Sequence, residues 1–431
     1  MAQGLERDGS SRPKLAVMYE AGAFSPFEIK EAARGLCELV WVTGWSSPLD
    51  RALGRILPRL GTVLDAEGLD RDSIAAALRD VGVDGITVFS DVGQQPAAEI
   101  AGALGLPFHS PQTALLLRDK FEQRLALRAG GLPVPAVVPV CRDSIGCRSE
   151  AEDLEMTWPA VLKPRRGSGG RETFLVRDPE DLLGALEDAA VDEQFILEEY
   201  LPDREDRIGG PVAAMVSVEL VVVDGIARHL AVSGRFPIAP PLRENGGFLP
   251  AELDAEDADA VIDCAKRAAA ALGVQRGVLH VEIKQTPAGP RIVEVNGRVG
   301  GVVPTLLAGV GGPPLLSWAL RLALGLDIPA FSPIGPGSRV AFYYAWLPPV
   351  GEYVVREVAS FDAVRSMPQV DRAWLNREPG DRVSSREGGM FGHLAAAYGT
   401  VDTHDALWPL AAELQRVPVF TLDPSPARLA V

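Results

Sequence analysis

Two apolar β-runs, around Val278–Ile283 and Arg291–Val295, flank a turn containing Pro287 and Gly289 and carry acidic residues at corresponding places. Such a pattern predicts a β-hairpin. Side chains alternate across a strand, so His280, Glu282 and Lys284 share one face. Glu294, Asn296 and Arg298 share one face of the partner run, if extension continues that far. The apolar positions Leu279, Val281, Ile283, Ile292, Val293 and Val295 mark strands buried on at least one face. Glu282 and Glu294 are then expected across the hairpin from each other, with Asn296 beside them. Inward-facing carboxylates repel unless a cation lies between them. Two carboxylates and an amide oxygen are the hard oxygen ligands that Mg²⁺ prefers. Arg298 on that face suits holding phosphate or stabilising charge in a phosphoryl transition state. Gly297, Gly300 and Gly301 let backbone approach a ligand closely. A solvated hairpin that happens to expose Glu, Glu, Asn and Arg is the competing reading.

A second constellation is Lys163-Pro-Arg-Arg-Gly-Ser-Gly-Gly170, in which a buried strand ends in a lysine and runs into a loop containing Gly167, Ser168, Gly169 and Gly170. Such a loop can aim several backbone N–H groups at phosphate while the lysine supplies a point charge. It is not a P-loop, because Gly-x-x-x-x-Gly-Lys-Ser/Thr occurs nowhere in the chain. Taken alone, it also fits a plain hairpin turn. A third feature, Phe195-Ile-Leu-Glu-Glu-Tyr-Leu201 before Pro202, fits a hinge strand whose backbone reads an adenine edge, with Glu198 accepting from the exocyclic amine. By itself it is an ordinary strand end.

The rest of the chain bounds these sites. The first stretch alternates strand and helix patterns: Leu15–Tyr19, Leu39–Thr43 and Gly85–Phe89 as strands, with helices over 26–36, 70–81 and 97–104. That alternation implies a parallel sheet with helices on its faces. No Gly-x-Gly-x-x-Gly follows the first strand, so it is not read as a dinucleotide site. A single helix is expected from Ser110 through Lys120 to Ala129, stopped by Gly130-Gly131. Length suggests roughly three domains. The net charge of −16 argues against nucleic-acid binding. No apolar run is long enough to cross a bilayer, and residues 1–13 read as a polar tail without the apolar core of a signal peptide. The four scattered cysteines are expected to be reduced, in a cytoplasmic protein. Only six of 42 basic residues are lysines, so a retained lysine draws notice where it falls in a motif.

The order of features matters more than any one of them. Lys120 precedes Lys163 and its glycine loop, Glu198-Glu-Tyr-Leu201 follows, and Glu282 with Glu294-x-Asn296-x-Arg298 comes last. This arrangement, over about Leu15 to Ala345, resembles the carboxylate–amine ligases of the ATP-grasp superfamily, and within it the L-amino-acid (dipeptide) ligases. The resemblance implies an α/β protein with a Rossmann-like pre-grasp domain (14–112), a linking helix and extended segment (113–140), a small lid lobe (141–202), a large lobe with the metal site (203–341) and a C-terminal lobe (342–431). It implies that Lys120 and Lys163 contact the α- and β-phosphates of ATP, that Gly167, Ser168, Gly169 and Gly170 close over the triphosphate, and that Glu198, Glu199 and Leu201 hold adenine. It further implies two Mg²⁺ ions, with Mn²⁺ as a substitute, on Glu282, Glu294 and Asn296. Arg298 would stabilise the transferred phosphoryl, and Glu244, Gly300, Gly301 and Val302 would line the substrate region. The implied reaction forms an acyl-phosphate and then an amide, releasing ADP and phosphate, from a small-molecule acid and amine. A homodimer is the expected assembly. A carrier-protein thiol as acceptor, a phosphotransferase and a non-catalytic ATP-binding module remain alternatives. Two positions depart from the relatives' pattern. Met215 stands where many carry a ribose-binding Glu, and Gly247 stands where several have the His of Glu-x-x-His.

Overall fold

A computed structural model describes residues 12–20, 22–44, 55–141, 156–189, 194–337, 339–359 and 361–425. Most of the expected tail (1–11) and Cys147 therefore lie outside the described residues. The chain divides into two compact units: Met1–Ala114 with Pro314–Ala330, and Leu115–Pro313 with Phe331–Val431. The segment Pro314–Ala330, inside the span expected for the large lobe, thus groups with the N-terminal residues.

The first unit holds a four-stranded parallel sheet of β1 (Lys14–Met18), β2 (Glu38–Thr43), β3 (Thr62–Asp65) and β4 (Gly85–Val88), in the order β3-β2-β1-β4. Strand β3 was not among the expected strands: at four residues, with no fully buried position, its sequence carries little apolar signal. Helix Arg71–Val81 starts where Asp70 accepts from the Ser73 N–H at 2.8 Å, and it ends at Gly82 in the left-handed region. Ala16, Val40, Ile74, Leu78, Ile86 and Ile100 form its core.

Two helices stand where one was expected, and the second unit begins within the first of them, at Leu115. Pro111–Arg118 and Lys120–Ala129 are separate because Asp119 leaves the helical region and caps the second helix, accepting from the N–H groups of Phe121 and Glu122. A small antiparallel sheet follows, built from β5 (Val137–Val140), β6 (Ala160–Pro164), β7 (Phe174–Val176) and β8 (Phe195–Glu199), ordered β5-β8-β6-β7.

The main sheet has eight strands: β9 (Met215–Val223), β10 (Ile226–Arg235), β11 (Gly246–Leu249), β12 (Gly277–Thr286), β13 (Gly289–Asn296), β14 (Val340–Trp346), and two from further on, β16 (Val370–Leu375) and β18 (Ala395–Val401). Their order is β13-β12-β9-β10-β11-β14-β18-β16. The sheet therefore continues across the boundary expected near residue 341, and the C-terminal residues extend the same layer. The remaining strands, β15 (Glu352–Val358), β17 (Arg382–Ser384) and β19 (Phe420–Pro424), form a separate three-stranded sheet.

Residues directly opposed in an antiparallel sheet share a face. Val218, Leu220, Leu279, Val281, Ile292 and Val295 pack against helix Ala255–Ala271 on one side. Further along the same side, Phe236, Phe248, Phe342 and Ala397 meet helix His404–Arg416. The opposite face runs, strand by strand, through Glu294, Glu282, Ser217 and Ser233, and then through Arg235, Gly247, Tyr343 and Tyr398. Polar and chemically capable side chains are concentrated there because helices occupy the other side.

Candidate active site

The hairpin β12–β13 puts Glu282 directly opposite Glu294, and His280 opposite Asn296, before a register shift at Ile283. Glu282 keeps 23% of its side-chain surface in contact with solvent but is closely surrounded by protein. Burial, then the charges of Glu244 and Glu294, push its carboxyl up to about 7. A cation near this pair would reverse that penalty, so the donor set fits Mg²⁺. Among the described residues no group of three or more His, Cys, Asp or Glu side chains forms a complete metal cage. The fit therefore needs oxygens from elsewhere, as expected of an ion shared with a nucleotide's phosphates. Strand β13 ends at Asn296, so Arg298 lies beyond the extended run, where its guanidinium donates to the Val299 carbonyl at 3.3 Å. The Asn296 amide donates to the His280 carbonyl at 3.4 Å.

Lys120 joins this group from the helix pair. Its ammonium lies 2.8 Å from Glu294 and donates to the Gly167 carbonyl at 2.5 Å, while its backbone N–H donates to the Arg165 carbonyl. The break at Asp119 sets this up, since Asp119 also accepts from Arg165 Nε at 2.7 Å and fastens the helix start to the glycine-rich loop. Within that loop, Gly169 and Gly170 both have positive φ, which favours glycine.

Lys163 ends in a buried ion cluster. Its ammonium lies 2.6 Å from one Glu198 oxygen, and Arg124 Nε lies 2.8 Å from the other. Arg124 also donates to the Val293 carbonyl. Burial would raise the Glu198 carboxyl, but Arg124 and Lys163 outweigh it and hold the group below the usual carboxylate range. Burial draws the Lys163 ammonium below its ordinary value, partly offset by Glu198. The Glu198 side chain is thus committed to two cations. Glu199 keeps its backbone N–H on the Ala136 carbonyl and its carboxylate on the Ala136 N–H, and Leu201 is buried.

Three neighbours escaped sequence reasoning. Glu219, fully buried, meets His280 Nδ1 at 2.5 Å. Burial opposes the imidazolium, but Glu219 outweighs it and raises His280 above its ordinary value. Arg235, also buried, donates to Glu244 at 2.9 Å, Ser217 Oγ at 2.7 Å and Ser233 Oγ at 3.1 Å. A Cβ on Gly247 would lie 3.3 Å from Arg235 Cδ and 2.6 Å from the Gly234 carbonyl, so a glycine is what leaves the guanidinium this path. His393 takes the Tyr343 hydroxyl at 2.6 Å, and burial lowers it to about 4 beside Glu244. Glu219 in Ser217-Val-Glu219 was visible in the sequence, but nothing there tied it to His280. Gly300 is packed against His280: a Cβ there would sit 2.5 Å from Nδ1. Gly301 and Val302 follow it, partly exposed.

The described free cysteines are Cys37, Cys141 and Cys264. No described helix is long and apolar enough to cross a membrane.

Residues 117–302 match the sequence profile of the ATP-grasp domain. Carnosine synthase 1 of Mus musculus is 29% identical over 283 residues, 61% of this chain and 33% of that protein. A D-alanine–D-alanine ligase of Rhodococcus erythropolis is 28% identical over 298 residues, 60% of this chain and 76% of that one. The chain spans less than half the length of the carnosine synthases it matches. Among solved structures, an L-amino acid ligase from Bacillus licheniformis aligns with a TM-score of 0.74 at 19% identity, over 97% of this chain and 100% of that one. At that identity the likeness is one of fold.

Proposed function

Residues 117–302 being an ATP-grasp domain, we propose that the protein is an ATP- and Mg²⁺-dependent carboxylate–amine ligase that joins an amino acid, or a similar acid, to an amine. The observation that carries this reading is the convergence of Glu282, Glu294 and Lys120 beside the loop Gly167–Gly170. Relatives named as ligases of amino acids, the D-alanine–D-alanine ligase and an L-arginine-specific L-amino acid ligase of Bacillus subtilis, support it.

ATP with Mg²⁺, or Mn²⁺ in its place, would supply the phosphoryl group that turns the acid into an acyl-phosphate with loss of ADP; attack of the amine on the acyl carbon would then expel phosphate and leave the amide. In this reading Glu282, Glu294 and Asn296 hold two ions. Lys120 and Lys163 would meet the phosphates, and the Glu294 carboxylate, which Lys120 meets at 2.8 Å, would be shared with the ions. Gly167, Ser168, Gly169 and Gly170 cover the triphosphate and exclude water. The backbone of Glu199 and Leu201 faces adenine. Glu198 serves as counter-ion to Lys163 and Arg124, which keeps Lys163 charged and aimed. Arg298 stabilises the charge spread over the transferring group. Arg235 fixes Glu244 at the substrate side, with Gly300, Gly301 and Val302 forming the adjacent wall. Free cysteines and a dependence on ATP support a cytoplasmic setting.

The test is phosphate release from MgATP against a matrix of paired amino acids, with mass spectrometry of the products. Phosphate appearing together with a condensed, water-lost product establishes the ligase and names its substrates. A stable phosphorylated product would replace the reading with a phosphotransferase.

A further inference from the structure

A second glycine pair, Gly388-Gly389, meets the glycine-rich loop from the far end of the chain. The Gly389 N–H donates to the Gly169 carbonyl at 2.7 Å. The approach is backbone against backbone. A Cβ on Gly169 would lie 2.5 Å from Gly389 N, and a Cβ on Gly388 would lie 2.6 Å from Arg171 N. Arg386 sets its guanidinium 5.6 Å from the centre of the Phe174 ring, just past the loop. Four residues after Gly389 comes His393, buried beside Tyr343 and Glu244. One short stretch therefore touches the glycine-rich loop at one end and the substrate side at the other.

We propose that Gly388 and Gly389 are positioning residues for the nucleotide site: they seat the loop Gly167–Gly170 in its closed place from the C-terminal part of the main-sheet unit. The inference rests on the loop covering a triphosphate, as in the ligase reading. The requirement is steric, because a side chain at Gly388 runs into main chain that cannot rotate away. Loop closure keeps water from an activated acid. A loop denied its seat opens more often, binds nucleotide less tightly and lets ATP be consumed without amide formation.

Trypsin reads the seat directly, since Arg166 and Arg171 are exposed and flank the loop. Cleavage of a locally opened segment tracks how often it opens. With the full chain and MgADP as ligand, Gly388→Ala is expected to be cut at Arg166 and Arg171 about fivefold faster than wild type, with MgADP affinity reduced about tenfold. In turnover, ADP formed per amide should rise. Gly184→Ala, in open space on a helix of the same lobe, should match wild type. Wild-type cleavage and wild-type MgADP affinity in Gly388→Ala would overturn the proposal. Should that variant fail to fold, Arg386→Ala removes only side-chain contacts and must shift cleavage in the same direction. No change there would overturn it equally. Neither trypsin nor MgADP binding requires an acid or an amine, so a negative ligase assay leaves this test intact.

Discussion

Glu282 on β12 stands directly opposite Glu294 on β13, and the Lys120 ammonium sits 2.8 Å from the second of them. Two carboxylates on neighbouring strands repel unless a cation or a proton lies between them. The lysine partly fills that role within the chain itself.

Removing one carboxylate tests the arrangement. Glu294→Ala should abolish MgATP-dependent phosphate release while leaving the circular-dichroism spectrum unchanged. Its melting temperature should no longer rise when MgATP is added, because the ligand that stabilises the folded state is not held. Full activity in this variant would sink the metal assignment.

The buried cluster Arg124–Glu198–Lys163 gives a stability prediction. Glu198→Ala leaves two cations without their shared partner, and breaking a buried pair in this way costs about 3–5 kcal/mol. Urea unfolding without nucleotide should show that loss. Arg124→Met should cost less, since Glu198 keeps Lys163 at 2.6 Å.

His393 sets a pH dependence. Burial lowers it from 6.5 to about 4. A group that is harder to protonate when folded contributes stability above its unfolded value and loses it as pH falls through the folded one. Stability should therefore drop between about pH 6.5 and pH 4, by up to roughly 3 kcal/mol from this residue. Thermal melts across that range should show a shallower slope for His393→Gln. An unchanged slope would mean that another group dominates.

Gly300 tests close packing. With His280 Nδ1 only 2.5 Å from an added Cβ, Gly300→Ala must displace the ring that meets Glu219. A destabilisation of about 1–3 kcal/mol is expected, with a larger fall in kcat than in thermal stability would suggest. A variant with wild-type turnover would show that the His280–Glu219 contact is dispensable.

Much of this protein is written in local pattern. The alternation of apolar and charged residues over 278–296 is enough to specify a hairpin with two carboxylates on one face, because period two is a property of the strand itself. The same holds for β1, β2 and β4, and for helices 71–81 and 255–271, whose periodicity and caps are local. The glycine-rich loop and the lysine before it are equally visible as residues. Their partners are not. That Glu198 serves Lys163 and Arg124, that Asp119 splits a helix in order to hold Arg165, and that Arg235 crosses Gly247 to reach Glu244 all depend on side chains far apart in the chain. Likewise, β14, β18 and β16 carry nothing in their own sequence to say that they extend the sheet of β12 and β13, because strand order is decided by which edge is left open after the others pair. The meeting of Gly388-Gly389 with Gly169 belongs to the same class. Glycine announces only that backbone can come close, and the tertiary structure alone decides which backbone does.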